Sequence, residues 1–240
     1  MHKITVRQQI IDRVLARRGR HHLFKALNPV ETAFVIIDMQ NMFCEHDAPA
    51  EVPVAREICE SINGLCRELR AMGGLIIWIT SATTSANGKS DWEQFIRNFV
   101  AEEMQERTVE ALQPGGHGEQ IWHALDVEVG DLLVRKNRYS ALTPGSSILQ
   151  SILSSHGIRN VLIGGTKTNI CCESTGRDAM MLDFNVCVWN PYSTVSFPHY
   201  ITPSTVKNAN PKNNARVKKL RIVIFIIVLV PSRITIPPHS

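Results

Sequence analysis

Acidic residues disappear toward the C-terminus: residues 184–240 contain no Asp or Glu, but seven Lys and Arg. Of the 26 Lys and Arg in the chain, 19 remain for residues 1–183, against 22 Asp and Glu. The net charge of +4 therefore belongs to the C-terminal segment, and the slightly acidic body has no electrostatic basis for binding nucleic acid. Aromatics are scarce at 6%, and 14 Gly with 12 Pro are too few for a collagen-like or low-complexity chain. No long apolar run exists either. The longest, residues 222–230, is too short to cross a bilayer. The six cysteines (44, 59, 66, 171, 172, 187) show no repeated CxxC or Cys/His spacing, so neither a disulfide framework nor a metal cluster is expected. The histidines do not pair at zinc spacing: His46 stands alone, His117 and His123 flank a Gly-rich loop, and His156 falls at a helix C-terminus.

What is present is an ordinary globular composition, 44% hydrophobic and 20% charged over 240 residues, enough for one sizeable core. Residues 1–29 form a basic extension without an uninterrupted apolar segment or small-residue cleavage site, which argues against a secretory signal. Its Arg-rich, acid-poor character also fits a transit peptide, although Asp12 and the lack of Ser argue against that. A cytoplasmic location is the expectation.

Short apolar runs alternate with helical patterns between residues 30 and 189. The strand candidates are 33–37 (AFVII), 75–80 (LIIWIT), 131–134 (DLLV), 160–163 (NVLI) and 185–189 (NVCVW). Helical spacing falls over 54–72, 91–104, 146–156 and 171–182, with Gly73, Gly157 and Asn185 placed as C-caps. This alternation predicts a three-layer α/β/α domain around a mainly parallel sheet.

In such sheets chemistry gathers beyond the carboxyl ends of the strands. Asp38 follows AFVII, Lys136 follows DLLVR, and Cys171 lies a short turn beyond NVLIGG, so three reactive side chains can converge on one cleft. Each also has a plainer reading: Asp38 as a turn cap bonded to its own backbone, Lys136 as a solvated strand end, Cys171 and Cys172 as small core fillers. On a helix the two cysteines lie about 100° apart. Cys172, Thr175, Ala179 and Leu182 make a stripe facing the sheet, which leaves Cys171 toward the cleft. Three further properties follow on the functional reading. A helix N-terminus lowers the Cys171 pKa, burial lets Asp38 accept a proton, and Lys136 favours the ionised form of both. Arg138 can clamp an anionic substrate group, though a surface role fits it equally.

Three segments, FVIIDMQNMF (34–43), VRKNRYSAL (134–142) and GGTKTNICCESTGRDAMML (164–182), resemble the isochorismatase-like cysteine hydrolases in order and spacing. K-x-RYSA, Gly145-Ser146-Ser147 and EST-x-RDA are most similar to the ureidoacrylate and N-carbamoylsarcosine amidohydrolase branch. The resemblance implies a catalytic triad of Cys171, Asp38 and Lys136, with a cis peptide at Thr166-Lys167. It also implies an oxyanion hole from the Lys167 and Cys171 amides, and a substrate site that includes Arg138 and Tyr139. It implies no metal or other cofactor, a small amide or ureide as substrate and a homo-oligomer; on the charge and hydropathy given above, neither nucleic acid nor membrane is expected as partner. Nicotinamidases carry an Asp-x-His metal motif where this chain has Thr80-Ser81-Ala82-Thr83, and isochorismatases proper lack the nucleophilic cysteine.

The C-terminus departs from the family pattern. Residues 190–240 form a basic, Pro-rich tail with seven of the twelve prolines, read as an unrelated segment such as a shifted frame or unspliced intron would produce. The family's last strand and helix are then missing, or residues 222–230 supply a replacement strand. The leading expectation is a metal-independent cysteine amidohydrolase. Its rival is a catalytically silent family member that binds a partner or has lost function through the altered tail. A third reading, docking of the tail on an anionic surface, rests on VKKLR (217–221) alone. Loops 81–91 and 113–120 are expected to wall the pocket.

Overall fold

The computed structural model describes residues 7–20, 23–24, 26–83 and 89–189. The 190–240 tail, His21, His22 and the possible strand at 222–230 lie outside the described residues. The elements run α1 (Gln8–Arg18), β1 (Thr32–Ile37), α2 (Asn41–Cys44), α3 (Cys59–Ala71), β2 (Leu75–Ser81), α4 (Glu93–Phe99), α5 (Glu102–Ala111), β3 (Leu132–Lys136), α6 (Leu149–Ser155), β4 (Asn160–Gly165), α7 (Glu173–Met181) and β5 (Asn185–Val188). No described helix is long and apolar enough to cross a membrane.

All five predicted strands form, and they make one parallel sheet in the order β3-β2-β1-β4-β5. β1, TAFVII, is buried along its whole length, as a central parallel strand covered on both faces must be. Its alternate side chains feed two cores. Phe34 and Ile36 join Ile76, Trp78 and Leu162 under α3, whose Ile62, Leu65, Cys66 and Leu69 repeat at helical spacing. Ala33, Val35 and Ile37 join Ile77, Val134 and Val161 under α6 and α7. Phe24 and Leu27 of the N-terminal extension pack against the first core. The α/β/α layering is thus as expected.

Helix boundaries differ in three places. The 54–72 pattern splits into a 3₁₀ segment, Pro53–Ile58, and α3, because Pro53 opens the tighter turn. The single helix expected over 91–104 is two: α4 ends where Val100 turns extended (φ −105°, ψ 129°), and α5 continues to Ala111. The helix expected from Cys171 begins instead with a π turn, Thr168–Cys172, before α7. Gly73 and Gly157 take the left-handed conformation expected of C-caps; at the end of α7 that role falls to Asp183 (φ 65°), while Asn185 opens β5.

Candidate active site

The strand order reverses beside β1: its successor β2 lies on one side, and β4 lies on the other. A crevice opens at such a switch point, beyond the carboxyl ends of the strands. Asp38 is the first residue past β1, fully buried, and its φ of 54° turns the chain out of the sheet. Its amide donates to Ile79 O (2.9 Å). Its carboxylate does not cap its own backbone, which corrects the plainer reading of this residue. Oδ1 accepts from Ser81 Oγ at 2.9 Å, and Oδ2 lies 3.0 Å from Lys136 Nζ.

Lys136 is the last residue of β3 and only 1% exposed, so it is not a solvated strand end. Its ammonium donates to Ser81 Oγ (2.6 Å), Arg138 O (3.2 Å) and Cys171 Sγ (3.6 Å). Its shortest approach to a carboxylate is the 3.0 Å ion pair with Asp38 Oδ2, an oxygen buried away from water. Burial is the largest single influence and opposes the lysine's charge, but the Asp38 carboxylate and the Cys171 sulfur together outweigh it and hold the pKa above the usual lysine value.

The loop after β3 is tied to α7 by the motif residues themselves. Thr175 Oγ1 accepts from the Ala141 amide (3.1 Å), Thr143 donates to Asp178 (3.3 Å), and Glu173 pairs with Arg177 four residues on (3.0 Å). Thr175 and Asp178 of EST-x-RDA thus join the loop after β3 to the helix that follows Cys171, while the Glu173–Arg177 pair lies within that helix.

Cys171 comes from the turn after β4. Gly165 adopts φ +108°, and a Cβ there would stand 2.1 Å from Ile37 O, so only glycine lets β4 run this close to β1. The Thr166–Lys167 peptide is cis, as the resemblance implies. Cys172, Thr175 and Ala179 face the sheet, buried as expected, and Cys172 donates to Gly164 O (3.7 Å). Leu182 does not complete that stripe; it is 37% exposed. Cys171 faces the other way, onto Lys136 and the cavity.

The expected lowering of the Cys171 pKa is absent. Burial, and then the Asp38 carboxylate, push the thiol up to about 12, and the Lys136 charge offsets only part of this. The thiol lies inside a buried π turn rather than at an open helix terminus, and desolvation dominates.

A cavity of about 350 Å³ opens over Cys171, Lys136 and Ser81. Its walls are Met42 and Phe43 of α2, side chains of α4 and α5 with the Trp92 that precedes them, and residues 137–139. Loop 113–120 contributes none of the lining; it lies beneath, where Gly118 O accepts from Gln40 Nε2 (2.9 Å). Of loop 81–91, Ser81 and Thr83 reach the cavity, while residues 84–88 lie outside the described set.

Both expected substrate contacts line this cavity, but Arg138 is already engaged. Its guanidinium donates to Asn137 O (2.7 Å) and Asp91 O (3.3 Å), lies 3.6 Å from the Asp91 carboxylate, and sits over the Trp92 ring at 5.2 Å. Tyr139 packs edge-on against Trp92 and Phe95, and burial pushes its phenol pKa up.

Sequence reasoning missed Ser81, which touches both Asp38 and Lys136. It also missed Gln40, whose side chain accepts from the Ser81 amide (2.7 Å) and donates to the Ser81 carbonyl (3.0 Å). Their signal was available, since Ser81 ends β2 and Gln40 lies two residues past Asp38. Among the described residues no group of three His, Cys, Asp or Glu side chains is placed to hold a metal ion.

Residues 32–190 match the Isochorismatase domain family. Ureidoacrylate amidohydrolase RutB of Klebsiella pneumoniae is 30% identical over 169 residues, covering 65% of this chain and 70% of that protein. Among solved structures, a cysteine hydrolase from Pseudomonas syringae pv. phaseolicola superposes with a TM-score of 0.62 at 23% identity, covering 71% of this chain and 76% of that one. N-carbamoylsarcosine amidase from Thermoplasma acidophilum superposes with a TM-score of 0.55 at 20% identity, covering 67% and 80%. The parallel sheet, the three strand-end side chains around one cavity and the match across residues 32–190 agree, and the chain is a hydrolase of the isochorismatase family.

Proposed function

We propose that the protein cleaves a C–N bond of a small linear ureide, N-carbamoyl compound or carboxamide through a thioester on Cys171. The observation that carries this reading is the buried Lys136 ammonium, 3.0 Å from Asp38 Oδ2 and 3.6 Å from Cys171 Sγ, beside the cavity. A ureidoacrylate amidohydrolase and an N-carbamoylsarcosine amidase among the similar proteins support the C–N bond class.

A thiol held near pKa 12 is protonated at neutral pH, so attack and deprotonation must be coupled. The buried Asp38 carboxylate takes the thiol proton as Sγ bonds to the substrate carbonyl carbon. The carbonyl π pair moves onto oxygen, where the Lys167 and Cys171 amides receive it. Collapse expels the nitrogen, which carries away the proton held by Asp38. Water then adds to the thioester, giving its proton to Asp38 while hydroxide bonds to carbon, and the sulfur leaves as the thiol by taking that proton back from Asp38, which restores the carboxylate. Lys136 compensates the Asp38 charge whenever the carboxylate is ionised and keeps the thiol oriented.

Cys171→Ala should abolish ammonia release from a panel of ureides and carboxamides, whereas Cys172→Ala, whose sulfur faces the sheet, should retain it. Equal activity in Cys171→Ala and the parent would reject the mechanism.

A further inference from the structure

The cavity is chemically lopsided. Its reactive end is polar, with Ser81 and Lys136 at strand termini and Cys171 in the turn after β4. The helical wall is apolar: Phe43, Trp92, Phe95, Phe99 and Met104. Four rings form a continuous surface, with Trp92 on Phe95 at 4.7 Å, Phe95 on Phe99 at 6.3 Å, and Tyr139 edge-on to both Trp92 and Phe95. No Asp or Glu lines the cavity among the described residues, and two of its three cations are committed: Lys136 to Asp38 and Arg138 to Asp91. The third, Lys167, lies with Nζ 6.0 Å from the Phe43 ring centre. Lys167 can meet a carboxylate near Phe43, but along Trp92, Phe95 and Phe99 the nearest cation is Arg138, already paired with Asp91, so a charged group set against those rings would lose hydration without a matching partner. An aryl or alkyl group would instead replace water there.

We infer that the substrate is an uncharged amide or N-carbamoyl compound carrying a bulky apolar substituent, which lies along the wall of Trp92, Phe95 and Phe99 while its carbonyl faces Cys171. The inference rests on the amide-hydrolase reading for which end of the ligand meets the thiol, but the apolar wall is independent of any turnover.

The two readings are therefore separated by measuring binding in a variant without the nucleophile. Calorimetric titration of Cys171→Ala, or of Cys171→Ser if the first does not melt cooperatively, should show phenylacetamide binding about tenfold or more tighter than ureidoacrylate, given the apolar area covered. Phe99, 79% exposed at the outer end of the wall, can be changed without opening the core. Adding Phe99→Ser should weaken phenylacetamide about fivefold and leave acetamide unchanged. Ureidoacrylate binding as well as or better than phenylacetamide, no detectable binding of phenylacetamide, or indifference of phenylacetamide to Phe99→Ser would each overturn the inference. Ammonia release by the unaltered protein reports separately on hydrolysis.

Discussion

Ser81 Oγ donates to Asp38 Oδ1 and accepts from Lys136 Nζ, so one hydroxyl sets how the carboxylate presents its other oxygen. It is a positioning residue in the proposed reaction, and its own backbone is held at both the amide and the carbonyl by Gln40. Ser81→Ala should lower kcat roughly 10- to 100-fold, the scale of a misdirected reacting group, with KM little changed. Ser81→Thr, which restores the hydroxyl, should recover most of the loss. A Thr variant as impaired as the Ala one, or a change confined to KM, would show that the hydroxyl does not act this way. Asp38, Lys136 and Cys171 were legible because each is a reactive side chain just after an apolar strand. Ser81 satisfies the same positional rule, yet serine at a strand end is unremarkable until the β2–β3 register places it opposite Lys136. The Cys171 pKa was illegible for a related reason: proximity to a helix start can be read from sequence, but the depth of burial that outweighs it cannot.

At the scale of elements, the junction between β4 and α7 positions the sulfur. Gly165 carries both constraints there, a positive φ and a close approach to Ile37 O. Gly165→Ala must push the two strand ends apart or unfold the turn, and it should destabilise by about 3 kcal/mol or more, combining backbone strain with overpacking. Thermal melts check this, and a melting temperature unchanged from the parent would show that the turn tolerates a Cβ. Gly157→Ala, also at positive φ but with open space around it, should cost less, separating the steric part from the conformational one. The strands were legible because parallel strands covered on both faces read as unbroken apolar runs. The split between α4 and α5 was not. No Gly or Pro marks Val100, the residue that turns extended between the two helices and lies at the cavity.

At the scale of the whole molecule, the six cysteines are all free and all buried. Burial raises four of them, Cys44, Cys66, Cys171 and Cys187, from 9.0 to about 12. The folded state holds these protons more tightly than the unfolded chain does. Their contribution to stability is thus fully present below pH 9 and declines as pH rises from 9 toward 12. Melting temperature should fall by several degrees between pH 8.5 and pH 10.5, and Cys187→Ala, already less stable at pH 8, should show a smaller fall over that interval. A flat profile would mean the thiols titrate normally. The sequence alone determined the layered parallel sheet and which strand ends carry chemistry, because hydrophobic period and strand-terminal position are local properties of the chain. Tertiary structure alone decided that three strand ends from distant parts of the chain share one buried charge cluster, that Arg138 is held by Asp91, and that the cavity wall is aromatic. Those outcomes depend on strand order, register and desolvation, which exist only once the sheet has closed around β1.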